Sequence, residues 1–124
     1  MYKGQTGSKT TLGKYNLSNY IMQQTKANGG CTINTQYEIP TRGYMVAIKG
    51  FNTLEEMMDY KLKPNEYYGT WVDNDKVYYD VSVNIPTERQ ATILALFRNE
   101  LAIWDVENNE AIPMSILNWS WIIN

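Results

Sequence analysis

"EYYGTWVDNDKVYYDVSVNI", residues 66–85, places two runs of β-branched and aromatic residues on either side of the polar "DNDK" (73–76). That pattern predicts a β-hairpin in which a two- or four-residue loop pairs Val72 with Val77. Side chains alternate across a strand, so this register aligns Tyr68, Thr70 and Val72 with Val77, Tyr79, Val81 and Val83 on one face. Tyr67, Gly69 and Trp71 then share the other face with Tyr78, Asp80, Ser82 and Asn84. The first set reads as core. The second is aromatic and polar: either a binding platform or a further core layer under a helix. A three-residue loop would exchange half of these assignments.

Working outward, "PTERQATILALFRN" (86–99) is expected to be helical, with Thr87 and Gln90 as a capping box and Arg98 complementing the C-terminal dipole. Before the hairpin, Leu54, Met57, Met58 and Leu62 recur at helical spacing; Asn52 is the expected cap, Glu55 its partner acid and Pro64 the stop. "LSNYIMQQTKANGG" (17–30) predicts a further helix, with Ser18 as N-cap and Gly29-Gly30 as terminator. "CTINT" (31–35) and "YMVAIKG" (44–50) read as strands, and "LAIWDVENNEAIPM" (101–114) as a second hairpin around Glu107–Glu110. The ending "LNWSWIIN" (117–124) alternates as a terminal strand whose apolar face, with Trp119, Trp121 and Ile123, predicts an oligomer interface. Residues 1–15 are polar and aperiodic, an irregular arm. The expectation is one α+β domain over residues 1–124: an antiparallel sheet of five or six strands, with three short helices packed mainly on one side.

Composition closes several chemistries. The 124 residues contain no histidine and one cysteine, Cys31, which reads as a small buried hydrophobe. Histidine-dependent triads and Cys/His zinc or iron–sulfur centres within one chain are therefore excluded. "DNDK" lacks the spacing of a calcium loop, and "GQTGSKTT" (4–11) has Ser8 where a phosphate loop requires glycine before its lysine. No cofactor, metal or catalytic residue is expected. Asp80, mid-strand on the aromatic face, needs a hydrogen bond or ion pair, since an unpaired charge there is costly.

Charge is uneven. Residues 1–42 carry five bases against Glu38 alone, a net of +4, while residues 43–124 carry six bases against twelve acids, a net of −6. The basic end suits either an anion or the acidic surface of a sister subunit. An acidic molecule without a dense basic stripe argues against duplex DNA. The sequence contains no apolar run long enough to span a membrane and no secretory h-region. What remains is binding. Tyr67, Trp71 and Tyr78 offer flat surfaces on which a base can stack, Asn84 lies on the same face, and Arg42, Arg89 and Arg98 carry forks suited to phosphate. Backbone N–H groups at Thr87–Arg89 add to that anion preference.

"GGCTINTQYEIPTRGYMVAIKG" together with "YYGTWVDNDKVYYDVSVNIPTERQATILALFRNELAIWDVENNEAIP" resembles a family of small proteins carried by phages, prophages and plasmids. The likeness covers about residues 29–113: a Gly-Gly approach to Pro-Thr-x-Gly-Tyr-Met-Val, then Gly-Thr-Trp-x-Asp and Val-Tyr-x-Asp-Val-Ser, a short helix, and Ala-Ile-Trp-Asp before an acidic turn. The chain also resembles the Thoeris anti-defence family of phage signal sponges. That resemblance implies a non-catalytic homo-oligomer, a dimer or larger and up to a hexamer, in the cytoplasm of an infected bacterium. Such proteins sequester cyclic ADP-ribose signals made by TIR immune proteins, and some also hold cyclic oligonucleotides. The alternative is a protein-binding inhibitor of a host defence complex, similar to an anti-CRISPR.

Overall fold

The computed structural model describes residues 9–114, with side chains described from Asn16 onward. Its elements run α1 (Lys9–Asn28), β1 (Gly30–Ile33), β2 (Tyr44–Phe51), α2 (Leu54–Asp59), β3 (Glu66–Asp73), β4 (Lys76–Ile85), α3 (Glu88–Phe97), β5 (Ala102–Asp105) and β6 (Glu110–Pro113). The six strands form one antiparallel sheet in the order β1-β3-β4-β2-β5-β6. This is the expected α+β class.

The hairpin β3–β4 is the centre of the sheet, and Val72 faces Val77 as the sequence predicts. Its loop is the two-residue Asn74-Asp75, with φ of 52° and 64°. Both central residues are left-handed, which matches the twist of the flanking strands and which Asn and Asp tolerate better than most. Tyr68, Thr70 and Val81 are buried on one face. Leu17 and Ile21 from α1 and Met57 and Met58 from α2 pack there with Ile33, Tyr68 and Val81 as one core cluster. A second cluster joins Ala91 and Ala95 of α3 to Val46 and Ile103. The sheet residues Val81 and Val46, with Val83 opposite the latter, point to the same side, so the described helices cover one face and leave the other open.

Leu17, Ile21 and Thr25 lie four apart, forming the stripe by which α1 meets the sheet. The Thr25 hydroxyl donates to the Ile21 carbonyl and shares a hydrogen bond with Thr70 on β3, so a polar pair sits in the core without an unsatisfied group. Tyr68 donates its hydroxyl to the Tyr60 carbonyl at 2.7 Å and so ties the end of α2 to β3. Gly29, at φ +82°, ends α1, its N–H returning to the Thr25 carbonyl at 2.9 Å.

Five expectations about the helices need correction. The arm is not irregular through residue 15: α1 begins by Lys9, and Ser18 lies inside it rather than capping it. Extending a nucleated helix adds one hydrogen bond per residue fixed, so it needs no apolar periodicity of its own. The cap of α2 is Thr53, one residue later than Asn52: its hydroxyl accepts from Glu56 N–H at 3.1 Å, while Glu56 reaches back to Asn52 N–H at 3.0 Å. Glu56, not Glu55, is therefore the partner acid. The same helix stops at Asp59, five residues before Pro64. For α3 the Thr87 cap stands as expected, its hydroxyl accepting from Gln90 N–H at 3.2 Å, while Gln90 Oε1 accepts from that same hydroxyl at 3.1 Å and not from the backbone N–H of a full capping box. The proposed terminal strand, with Trp119, Trp121 and Ile123, lies outside the described residues.

Candidate ligand-binding face

The face of the sheet away from the described helices carries the aromatic set. Trp71 and Tyr78 are direct cross-strand partners, and their rings stack with centroids 4.3 Å apart and planes 14° from parallel. Offset stacking suits the ring quadrupoles, and the close approach holds both rings upright on the sheet. Lys76 Nζ lies 5.0 Å from the Tyr78 ring centre. Trp71 remains 46% exposed, so this pair is not a second core layer.

Beside the stack lies a cleft of about 350 Å³, whose lining includes Trp71, Tyr78, Asp80, Gly50, Lys49 and Arg98. Its floor follows from strand register. Asp80 on β4 faces Gly69 on β3 and Gly50 on β2. A Cβ at Gly69 would lie 2.6 Å from Asp80 Oδ1, so only glycine leaves room for that carboxylate; a Cβ at Gly50 would meet nothing within 4 Å. The first glycine seats the acid and the second keeps the floor open. Burial pushes the Asp80 carboxyl up to about 6; hydrogen bonds from Ser82 and Trp71 pull it down, and the negative charge of Glu100 adds to the rise. The Ser82 hydroxyl donates to Oδ1 at 3.3 Å, a long contact. The hydrogen bonds that Asp80 needs thus come from a neighbour on the same strand and from the Trp71 indole, diagonal to it on β3.

One wall is set by a β-bulge. The β2–β4 register shifts between Ala47 and Lys49, leaving Ile48 as the extra residue. Arg98, the C-cap of α3, donates Nε–H to the Ala47 carbonyl at 3.2 Å and Nη2–H to the Ile48 carbonyl. It also stands 3.9 Å from Glu100, as a loose ion pair. A guanidinium has five N–H donors, so Arg98 keeps donors for a ligand while bracing the bulge.

The residues expected to bind fall into two groups. Trp71, Tyr78 and Arg98 line the cleft just described. Tyr67, Asn84 and Arg42 line a second, of about 390 Å³, with Glu38, Pro40 and Thr41. On β4, Asp80 and Asn84 are four residues apart, which puts the two clefts about 13 Å apart on one face. Asn84 is already occupied in part: its Nδ2 donates to the Arg42 carbonyl at 2.9 Å, and its carboxamide packs over Gly43, where a Cβ would come within 2.6 Å. Arg89 joins neither cleft. It is exposed at the start of α3, about 13 Å along the helix axis from Arg98.

Sequence reasoning missed Lys49, Gly50 and Glu100. Glycine within "AIKGF" was a signal of a close approach or an open floor, but its pairing with Asp80 spans thirty residues and leaves no local trace. Among the described residues no group of three His, Cys, Asp or Glu side chains is placed to hold a metal ion. Cys31 packs at the edge of the first core cluster, and burial raises its thiol to about 11, which keeps it protonated at neutral pH. Among the described residues no helix is long and apolar enough to cross a membrane. No protein-family model, curated protein or solved structure matches this chain.

Proposed function

We propose that the chain binds and holds a cyclic nucleotide signal, of the cyclic ADP-ribose or cyclic oligonucleotide type, without cleaving it. In this reading it is a phage anti-defence sponge acting in the cytoplasm of the infected bacterium as a homo-oligomer. The biological setting rests on the sequence resemblance; the binding chemistry rests on the face itself. One observation carries it: a stacked, exposed Trp71–Tyr78 pair beside a cleft that also presents Arg98. A flat base gains from the rings and a phosphate from the guanidinium. The sequence has no histidine, the usual general base near neutral pH.

The test is calorimetric titration with a panel of cyclic nucleotides, including cyclic ADP-ribose, followed by recovery of the ligand after denaturation. Trp71→Ala should lower affinity by roughly 1–3 kcal/mol, the worth of one base stack, with little change in melting temperature. Tyr79→Ala should act through stability, because Tyr79 packs against the first core cluster; aromatic truncations in a core cost roughly 3–5 kcal/mol, less for a half-buried ring. If Trp71→Ala melts the protein as severely as Tyr79→Ala, the aromatic face is structural. Cleaved product accumulating with time would show an enzyme instead. A second reading, inhibition of a defence complex by direct protein contact, draws on the −6 of residues 43–124 and on Phe97 and Leu101, exposed at 87% and 88%. A defence complex blocked equally well by Trp71→Ala protein would favour it.

A further inference from the structure

We propose that Asp80 selects the base in the first cleft by accepting two N–H bonds from one edge, so that a 2-amino-6-oxopurine, the guanine type, is preferred over adenine. This rests on the reading of that cleft as a base-binding site, and within that reading it favours a guanine-bearing cyclic oligonucleotide over cyclic ADP-ribose, whose base is adenine. The geometry has three parts. Asp80 is flanked by glycine on both neighbouring strands, so no side chain stands directly across from its carboxylate on β2 or β3. Above Gly50 there is space a Cβ would not fill, open to a planar group laid beside Tyr78 and Trp71. And the carboxylate is undersupplied with donors: of its roughly four acceptor positions, a 3.3 Å contact from Ser82 takes one and the Trp71 indole another.

An ionised carboxylate is acceptor-only. Guanine offers it N1–H and the 2-amino group side by side, two parallel donors that match its two oxygens. Adenine offers a donor, its 6-amino group, beside an acceptor, N1, and can satisfy only one oxygen while setting a lone pair against the other. Hypoxanthine keeps N1–H and loses the second donor. The charged groups around Asp80 are Glu100 from the α3–β5 connection, Lys49 from β2 and Arg98 from the end of α3; β3 contributes Gly69 and Trp71, neither charged, and β4 itself contributes Tyr78 and Ser82. Arg98 lines the cleft, where a ligand's phosphate can reach it, whereas Lys49 Nζ lies 5.6 Å from the Phe51 ring centre, toward the helix-covered side. Because burial raises the Asp80 carboxyl to about 6, the preference has a pH dependence with a definite sign. Above about 6 the group is a double acceptor and favours guanine. Below it the acid presents one donor and one acceptor, the complement of adenine, and the preference should shrink or reverse.

The experiment titrates the full chain with cyclic di-GMP, cyclic di-IMP and cyclic di-AMP at pH 7.5 and pH 5. It uses wild type, Asp80→Asn and Trp71→Ala, each checked for its melting transition. At pH 7.5 wild type should bind cyclic di-GMP roughly ten- to a hundredfold more tightly than cyclic di-AMP, with cyclic di-IMP between them. Asp80→Asn replaces two acceptors by one acceptor and one donor, and should move the preference toward cyclic di-AMP at pH 7.5 while resembling wild type at pH 5. Equal binding of all three, lost in Trp71→Ala, would leave the base-binding site standing and overturn the role of Asp80. A guanine preference unchanged in folded Asp80→Asn would overturn it as well. No binding of any of the three would overturn this proposal; if cyclic ADP-ribose also fails to bind, the reading it rests on falls with it.

Discussion

Asp80 is the residue at which stability and recognition pull in opposite directions. Its folded-state carboxyl is raised from 3.8 to about 6, so the folded protein binds that proton more tightly than the unfolded chain does. An acid raised in this way favours the fold only when protonated: the benefit is full below about 4 and is lost as pH climbs through about 6. At neutral pH the ionised group is therefore a cost of roughly 2–3 kcal/mol, since each tenfold change in proton affinity corresponds to about 1.4 kcal/mol. Asp80→Asn keeps the shape and removes the charge, so it should raise the urea midpoint at pH 7.5, with the gain fading toward pH 4. A variant equally or less stable at pH 7.5 would mean that Ser82 and Trp71 already compensate the carboxylate. A residue that costs stability where it stands is best explained by what it binds.

At the scale of elements, local chemistry was legible in the sequence and long-range pairing was not. The hairpin register could be read because a two- or four-residue loop at "DNDK" pairs Val72 with Val77 either way, and the period of two then places every side chain from Glu66 to Ile85; the left-handed Asn74-Asp75 excludes the three-residue alternative. The α3 cap was legible for the same reason, while α2 slipped by one residue because Asn52 and Thr53 are both good caps and only the fold chooses. The start of α1 was hidden because its first residues carry no amphipathic signal. What could not be read was the pairing of β2 with β4, and with it the cleft: Gly50 opposite Asp80, the bulge at Ile48, and Arg98 arriving at that bulge from fifty residues away. That bulge yields a prediction. Arg98→Ala frees the Ala47 and Ile48 carbonyls to water, at a cost of about 1 kcal/mol because the site is partly exposed. Arg98→Lys should not restore it, since a point charge cannot fork across two carbonyls. Amide exchange at Lys49 and Gly50 should rise in both variants, and ligand affinity should fall with it. Unchanged exchange would make Arg98 a surface residue with no hold on the cleft wall.

Among the described residues the molecule is one-sided: α1, α2 and α3 pack on one face of the sheet, and the Trp71–Tyr78 stack lies on the other, beside a first cleft that reaches the end of α3 at Arg98 and Glu100. This divides the surface by task. The outer side of α3 and the connection after it expose Ile93, Phe97 and Leu101, an apolar group that is costly to leave in water. It lies on the side of the sheet away from the Trp71–Tyr78 stack, so self-association there would leave the stack accessible. Burying two such side chains in an interface is worth roughly 1.5–3 kcal/mol each, enough to matter for assembly but not for the fold of a chain that does not pack on them. The double variant Phe97→Ser, Leu101→Ser should therefore raise the monomer fraction in sedimentation at micromolar concentration. It should leave the melting transition of the monomer and its affinity for a cyclic nucleotide close to wild type. If wild type sediments as a monomer, the homo-oligomer is wrong. If the variant stays assembled, the contact lies elsewhere, and deleting residues 117–124, where Trp119, Trp121 and Ile123 were expected to mediate assembly, becomes the decisive comparison. If the variant loses ligand as it loses its partners, the cleft is completed by a second copy, and one-sidedness describes the subunit but not the working site.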